Sequence, residues 1–246
     1  NYALLSLGFL GGPLARADLV ERLRKPGSGP GIPWIALALG VMAREDGEID
    51  PEIGAALVDA FAQTGNPSWK AGIAVALGLT RHREAGRRLQ EEMRAAKDPQ
   101  LRGYCAVALG LMNFHEAEED VCVLMEQSID RPGLFRLANF GLGLMGGKYS
   151  VQRLLALLAN PELDPGIAAI VASELGRLGD PRVCHDLFSL LLGEENAGPR
   201  RICAANALGL IGGGMGLPWA GSLGIGLDHQ ASVATFAEAA DILGPP

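Results

Sequence analysis

Ala172-Ser173-Glu174-Leu175-Gly176-Arg177-Leu178-Gly179-Asp180-Pro181-Arg182-Val183 is the stretch that decides the fold, because its Leu-Gly pair recurs down the chain. The marker glycines are Gly8, Gly40, Gly78, Gly110, Gly143, Gly176, Gly209 and Gly244, spaced by 32, 38, 32, 33, 33, 33 and 35 residues. A period of this size marks a solenoid of stacked units, each too small to bury an apolar face alone. The pattern predicts an all-α solenoid of helix pairs with a period of about 33 residues. About seven units then form a single array over residues 1–246.

Within a unit, the first helix opens at a proline set ten or eleven residues before the marker: Pro67, Pro99, Pro132, Pro165 and Pro199. Proline suits a first helical turn because the amide it lacks would have no partner there. Asn66, Asp98 and Asp164 stand just ahead, where their side chains can cap free amides. Leu134, Leu137, Ala138, Gly141 and Leu142 then follow helical spacing, as do Val151, Leu154, Leu155 and Leu158 in a second helix. The predicted pairs are 33–63, 67–96, 100–129, 133–159 and 165–192, with a half unit before them and a helix over 198–211 after.

A glycine inside a helix costs roughly 0.5–1 kcal/mol relative to alanine. Its recurrence at Gly40, Gly78, Gly110, Gly143, Gly176 and Gly209 therefore needs a structural reason, and close approach of a neighbouring backbone supplies one. Two stretches break the pattern, residues 25–33 (KPGSGPGIP) and 212–228 (GGGMGLPWAGSLGIGLD). The second exposes Trp219 to a partner if it is a shaped loop, and is otherwise a degenerate end of the array. Neither terminus has the polar outer face of a capping repeat, so the ends read as continued in a longer chain or covered by neighbours.

The quoted stretch, together with Ala76-Leu77-Gly78-Leu79, Ala108-Leu109-Gly110-Leu111-Met112 and Ala207-Leu208-Gly209-Leu210-Ile211-Gly212, resembles HEAT-like repeats of the phycobilin-lyase type. The resemblance implies a right-handed superhelix of antiparallel helix pairs whose second helices line the concave face. It also implies an Asp/Arg ladder between units, here built from Asp98 with Arg102 and from Asp164 with Arg136 and Arg201. The family includes phycobilin lyases, deoxyhypusine hydroxylase, DNA-alkylation glycosylases and many scaffolds, so a bilin lyase-like or other ligand-handling role stands as the alternative to a scaffold.

Composition narrows the choice. The chain has 246 residues and a net charge of −7, with 48% hydrophobic residues and 5% aromatic ones. Residues 1–103 carry 13 basic and 12 acidic side chains, and residues 104–246 carry 8 and 16. General nucleic-acid binding needs clustered cations that release counterions, so no nucleic-acid partner is expected. No run approaches the ~18 apolar residues of a membrane span. Cys105, Cys122, Cys184 and Cys203 form no CxxC pair and sit in apolar helical patterns, as small buried hydrophobes in a reducing, cytoplasmic setting do.

No catalytic constellation emerges. The iron site that the resemblance implies for deoxyhypusine hydroxylase takes several His-Glu pairs, and this chain has His115-Glu116 alone, with His82 33 residues earlier. No metal and no cofactor is expected, nor a small-molecule ligand. Gly141-Leu142-Gly143-Leu144-Met145-Gly146 spells a dinucleotide fingerprint but ends a helix where the fingerprint must open one. Cys184 and His185 are consecutive in a helix and point about 100° apart.

The distinctive charge feature is a basic run (Arg81, Arg83, Arg87, Arg88, Arg94) beside an acidic unit (Glu116, Glu118, Glu119, Asp120). Together they form a bipolar surface suited to a protein partner. The sequence thus points to a non-catalytic interaction scaffold or subunit of a larger assembly. Its partner surface is expected at Arg87, Arg88, Glu91, Glu118, Glu119 and Trp219.

Overall fold

In the computed structural model, residues 2–25, 29–46, 50–193 and 198–214 are described. They form a succession of α-helices and no strand: α1 (Tyr2–Leu10), α2 (Pro13–Arg24), α3 (Ile32–Asp46), α4 (Pro51–Gln63), α5 (Pro67–Leu79), α6 (Gly86–Ala95), α7 (Pro99–Leu111), α8 (Glu118–Glu126), α9 (Pro132–Met145), α10 (Lys148–Ala159), α11 (Pro165–Leu178), α12 (Cys184–Leu192) and α13 (Gly198–Gly214). Each helix packs on helices one or two places along the chain, and one hydrophobic core runs from Leu19 to Ile211. This is an all-α solenoid.

The helices begin where capping chemistry places them. Asp50, Asn66 and Asp164 each accept two amides of the following turn, and Asp98 accepts one, with proline at the first helical position every time. The marker helices α5, α7, α9 and α11 all end three residues past their glycine in left-handed backbone. Gly146 (φ 62°) and Gly179 (φ 65°) adopt this at no steric cost, whereas Asn113 (φ 57°) and Arg81 (φ 53°) carry a side chain into it.

Both irregular segments are shorter than the sequence suggests. In the first, Gly29–Gly31 forms a 3-10 turn and α3 has begun by Ile32. In the second, Gly212–Gly214 prolong α13, because three glycines at a helix end weaken it without breaking it. Residues 26–28 and 215–228, Trp219 and Gly244 lie outside the described residues.

The two members of each pair play different roles. The marker helices α1, α3, α5, α7, α9, α11 and α13 pack against one another in sequence, while their partners α4, α6, α8 and α10 barely meet. A Cβ on Gly40 would stand 2.9 Å from the Ala76 Cα, and one on Gly78 would stand 2.8 Å from both the Cα and the carbonyl oxygen of Ala108. On Gly110 it would run into the carbonyl of Gly141, and on Gly176 it would meet Leu210 at 2.7 Å. At Gly209 no described atom lies within 4 Å.

An array whose two layers differ in spacing bends toward the tighter one. The glycine layer is therefore the inner layer, and α2, α4, α6, α8, α10 and α12 form the outer one. This corrects the expectation that the second helix of each predicted pair faces inward. Pairing each marker helix with the short helix before it, instead of after it, makes it the second of its unit and removes the conflict.

Gly78→Ala is expected to lower stability by about 1–3 kcal/mol, since the added methyl meets backbone that cannot move aside. Arg81→Gly should raise it by about 1 kcal/mol by relieving left-handed strain. Urea midpoints at constant m-value test both.

Candidate functional site

Of the basic run and the acidic unit read from the sequence, several charges are already paired with each other. The acidic start of α8 lies against the basic α6, so charges from successive units meet across the outer layer. Arg83 shares its Nη2 between the two carboxylate oxygens of Glu116 (2.9 and 3.1 Å) and gives its Nη1 to the Asn113 carbonyl (2.9 Å), with its guanidinium 5.5 Å from the Phe114 ring centre. Arg94 and Gln90 both donate to Asp120. Farther along, Arg153 of α10 reaches back to Glu126 of α8 at 2.8 Å. Before these, Arg16 of α2 holds Asp50 at 2.5 Å and Glu52 at 2.9 Å.

Glu118 belongs to this inter-unit framework. It is half-buried, and it accepts the Ser150 amide at 2.7 Å and the Ser150 hydroxyl at 2.5 Å, which secures the first turn of α10. A carboxylate at a helix start also complements the helix dipole. Arg87, Arg88, Glu91 and Glu119 are exposed and make no ion pair or hydrogen bond with another described side chain. They are the part of the bipolar surface that still faces solvent. Its charges sit side by side on α6 and α8, two helices tied together by the Arg83 and Arg94 contacts.

The ladder inferred from the resemblance does not form where it was placed. Asp98 and Asp164 spend their carboxylates on helix caps. Arg102 gives its Nε to the Met93 carbonyl at 3.0 Å, and Arg201 gives its Nε to that of Leu191 at 2.8 Å. Capping wins because the amides sit within two or three residues of the carboxylate and cost no long side chain its freedom.

The candidate catalytic groups are dispersed. His115 is exposed, whereas the His82 side chain is only 12% exposed and its ring fills the space beside Gly54. The closest acid to His82 is Glu84 at 3.8 Å. Among the described residues no three His, Cys, Asp or Glu side chains form a group able to hold a metal ion. Burial pushes the Cys105 thiol far above its ordinary range. Burial, with Glu118 nearby, pushes Cys122 up to about 12. Ser189 spends its hydroxyl on the His185 carbonyl at 3.0 Å. Two clefts are open grooves: one of about 580 Å³ beside Val58, Asp59, Arg81 and His82, another of about 450 Å³ beside Lys70, Glu92 and Lys97.

One polar feature escaped the sequence reading. Four residues before the marker, the inner layer carries Ala36, Ala74, Ala106 and Ala172, but Asn139 in α9. Two residues before it, Ala38, Ala76, Ala108 and Ala207 give way to Glu174 in α11. Asn139 (1% exposed) donates to the Ile170 carbonyl at 3.3 Å. Glu174 (7% exposed) pairs with Arg177, whose guanidinium stacks 4.8 Å from the Phe140 ring centre. A Cβ on Gly143 would collide with the Glu174 carboxylate, so this glycine makes room for a side chain instead of a backbone. The α9–α11 contact is accordingly the sparsest between adjacent inner helices. Aligning the units on their glycines exposes both substitutions.

The sequence matches no protein-family model and no curated protein. A solved structure similar in fold is human deoxyhypusine hydroxylase in complex with glycerol, with 19% identity over 86% of this chain and 89% of that one, at a TM-score of 0.38. A likeness at that level carries no argument about activity.

Two outcomes follow from these environments. Burial alone would raise the Asp50 carboxyl, but the Arg16 hydrogen bond and charge and the amides of Ile53 and Glu52 outweigh it and hold it below the ordinary carboxylate range. A depressed folded-state value stabilises the fold above the unfolded pKa, and that stabilisation is lost as pH falls through the folded one. Asp50→Asn should therefore lower the thermal midpoint near neutrality and reduce its fall below about pH 5. In a thiol-labelling time course at pH 8, the half-buried Cys184 should react well before Cys105 and Cys122, which stay protected until unfolding.

Proposed function

We propose that the chain is a HEAT-like array of the phycobilin-lyase repeat type, extending as one array over residues 1–246, and that it acts as a non-catalytic protein-interaction scaffold. The observation that carries this reading is the division of charge on α6 and α8. Arg83, Gln90, Arg94, Glu116 and Asp120 bind the units to each other, whereas Arg87, Arg88, Glu91 and Glu119 are presented unpaired on a framework those contacts hold rigid. A rigid framework sets the spacing at which these charges are presented, so they select the register of a complementary partner.

The ligand-handling alternative needs a chamber between helices. The open grooves beside Arg81 and Lys70 do not enclose a ligand as such a chamber must, since small-molecule sites bury most of the ligand surface.

The test is purification of the native assembly without crosslinking, followed by comparison with Arg87→Glu/Arg88→Glu. The wild-type chain should retain a stoichiometric protein partner that dissociates as salt is raised. The double variant should lose at least about tenfold in affinity for that partner while its far-UV spectrum stays the same. Absence of a stoichiometric partner, or unchanged affinity in the double variant, removes this surface from the function.

A further inference from the structure

Repeat arrays are held together unit by unit, so the thinnest boundary between neighbours decides where the array comes apart. Each unit here is a short outer helix followed by its marker helix. The boundary between α8–α9 and α10–α11 differs from those before it in three places. Two lie in the inner seam. Where Gly40 faces Ala76 and Gly78 faces Ala108, Gly143 faces the Glu174 carboxylate. One turn earlier, Asn139 stands where Ala74 and Ala106 stand in their units. The third lies four residues past the marker, in the outer layer. His82 lays its ring on Gly54 of α4, and Phe114 lays its ring on Gly86 of α6. The corresponding pair is Gly147 and Glu118, in which a carboxylate fills the space of the ring.

These exchanges put polar contact where the other boundaries have apolar packing. α9 and α11 touch most sparsely of the adjacent inner helices, and α10 barely meets α8. Polar links cross the boundary: Asn139 to the Ile170 carbonyl, Arg177 over the Phe140 ring, Glu118 to Ser150 and Arg153 to Glu126. The Glu174–Arg177 pair lies within α11 and survives separation of the two helices. The Oδ1 of Asn139 is buried and accepts no hydrogen bond from a described group. A buried acceptor without a donor costs free energy that is recovered when water reaches it, and only the closed boundary bears that cost. The chain crosses from α9 to α10 through Gly146-Gly147, with Gly146 at φ 62°. Two adjacent glycines let this link absorb a change of angle that Arg81-His82 and Asn113-Phe114 resist.

From this arrangement we infer that the boundary between α9 and α10 is a joint at which the array opens, so that α1–α9 and α10–α13 act as two cooperative blocks. Opening breaks the polar links, and water then satisfies Asn139, Glu118 and Ser150. Each block keeps its own glycine seams. The other boundaries resist the same motion, because parting Gly78 from Ala108 would expose tightly packed backbone and leucine to water. The two stretches can thus change their mutual angle while neither unfolds. The joint goes beyond the scaffold reading and uses none of Arg87, Arg88, Glu91 and Glu119.

Native-state hydrogen exchange of the whole chain, resolved by peptide, tests the joint. Mid-helix amides of α10–α13 should share one level of protection, at least about tenfold below that of α5, α7 and α9, with the step falling between α9 and α10. Asn139→Ala/Glu174→Ala restores alanine at both seam positions and should shrink the step to less than about threefold. Arg81→Gly, at another turn, should leave the step where it is. A thiol-labelling series in urea gives a second reading on the same chains. Cys203 of the second block should become reactive at lower urea than Cys105 of the first, and the two midpoints should converge in the double variant. Protection that declines gradually toward α13 is fraying of an array end and overturns the inference. A single level throughout, or a step that the double variant leaves unchanged, overturns it as well.

Discussion

The structure depends on the contact between a glycine in one inner helix and the backbone of the next. Gly40 against Ala76 and Gly78 against Ala108 bring helix backbones within reach of a single missing methyl group. Helices at that separation exclude water from the seam and bury their leucines at the core without large side chains. The cost of a mid-helix glycine is recovered only when a second helix arrives, so no unit is stable alone and each one templates its neighbour. The outer helices inherit their positions from this seam. They are too far apart to pack closely on each other, and they connect instead through long side chains such as Arg83, Arg94 and Arg153.

That difference in spacing sorts the chemistry of the two faces. A splayed outer layer leaves gaps that arginine–carboxylate pairs can span, so the acids and most ion pairs collect there. A tight inner layer has no room for such pairs, and small or apolar residues fill it. The α9–α11 seam is the exception that tests this account. Asn139 and Glu174 occupy places that alanine holds elsewhere, and the helices separate to admit them. A buried carboxylate is tolerable there because Arg177 pairs with it and Phe140 supports the arginine. Isolated, the same charge would cost several kcal/mol.

Much of the fold was legible in the sequence. Pro67, Pro99 and Pro165 with their preceding Asn or Asp announced helix starts, because capping is a local interaction completed within three residues. The candidate site was legible only in part. The bipolar run on α6 and α8 could be read from composition, but Glu118 and Arg87 look alike in sequence, and only packing shows that one braces Ser150 while the other faces water. The resemblance to HEAT-like repeats implied a ladder through Asp98 and Arg102. Their partners were decided by which amide or carbonyl lay nearest after folding.

By itself the sequence determined the repeat length, the helical class, the helix starts and the need for glycine at the seam. These follow from periodicity, capping and backbone sterics, which act within one unit or between identical units. Tertiary structure alone decided which layer lies inside and which charges are spent between units. Those properties depend on the difference in spacing between two layers, a quantity that exists only once the units have stacked.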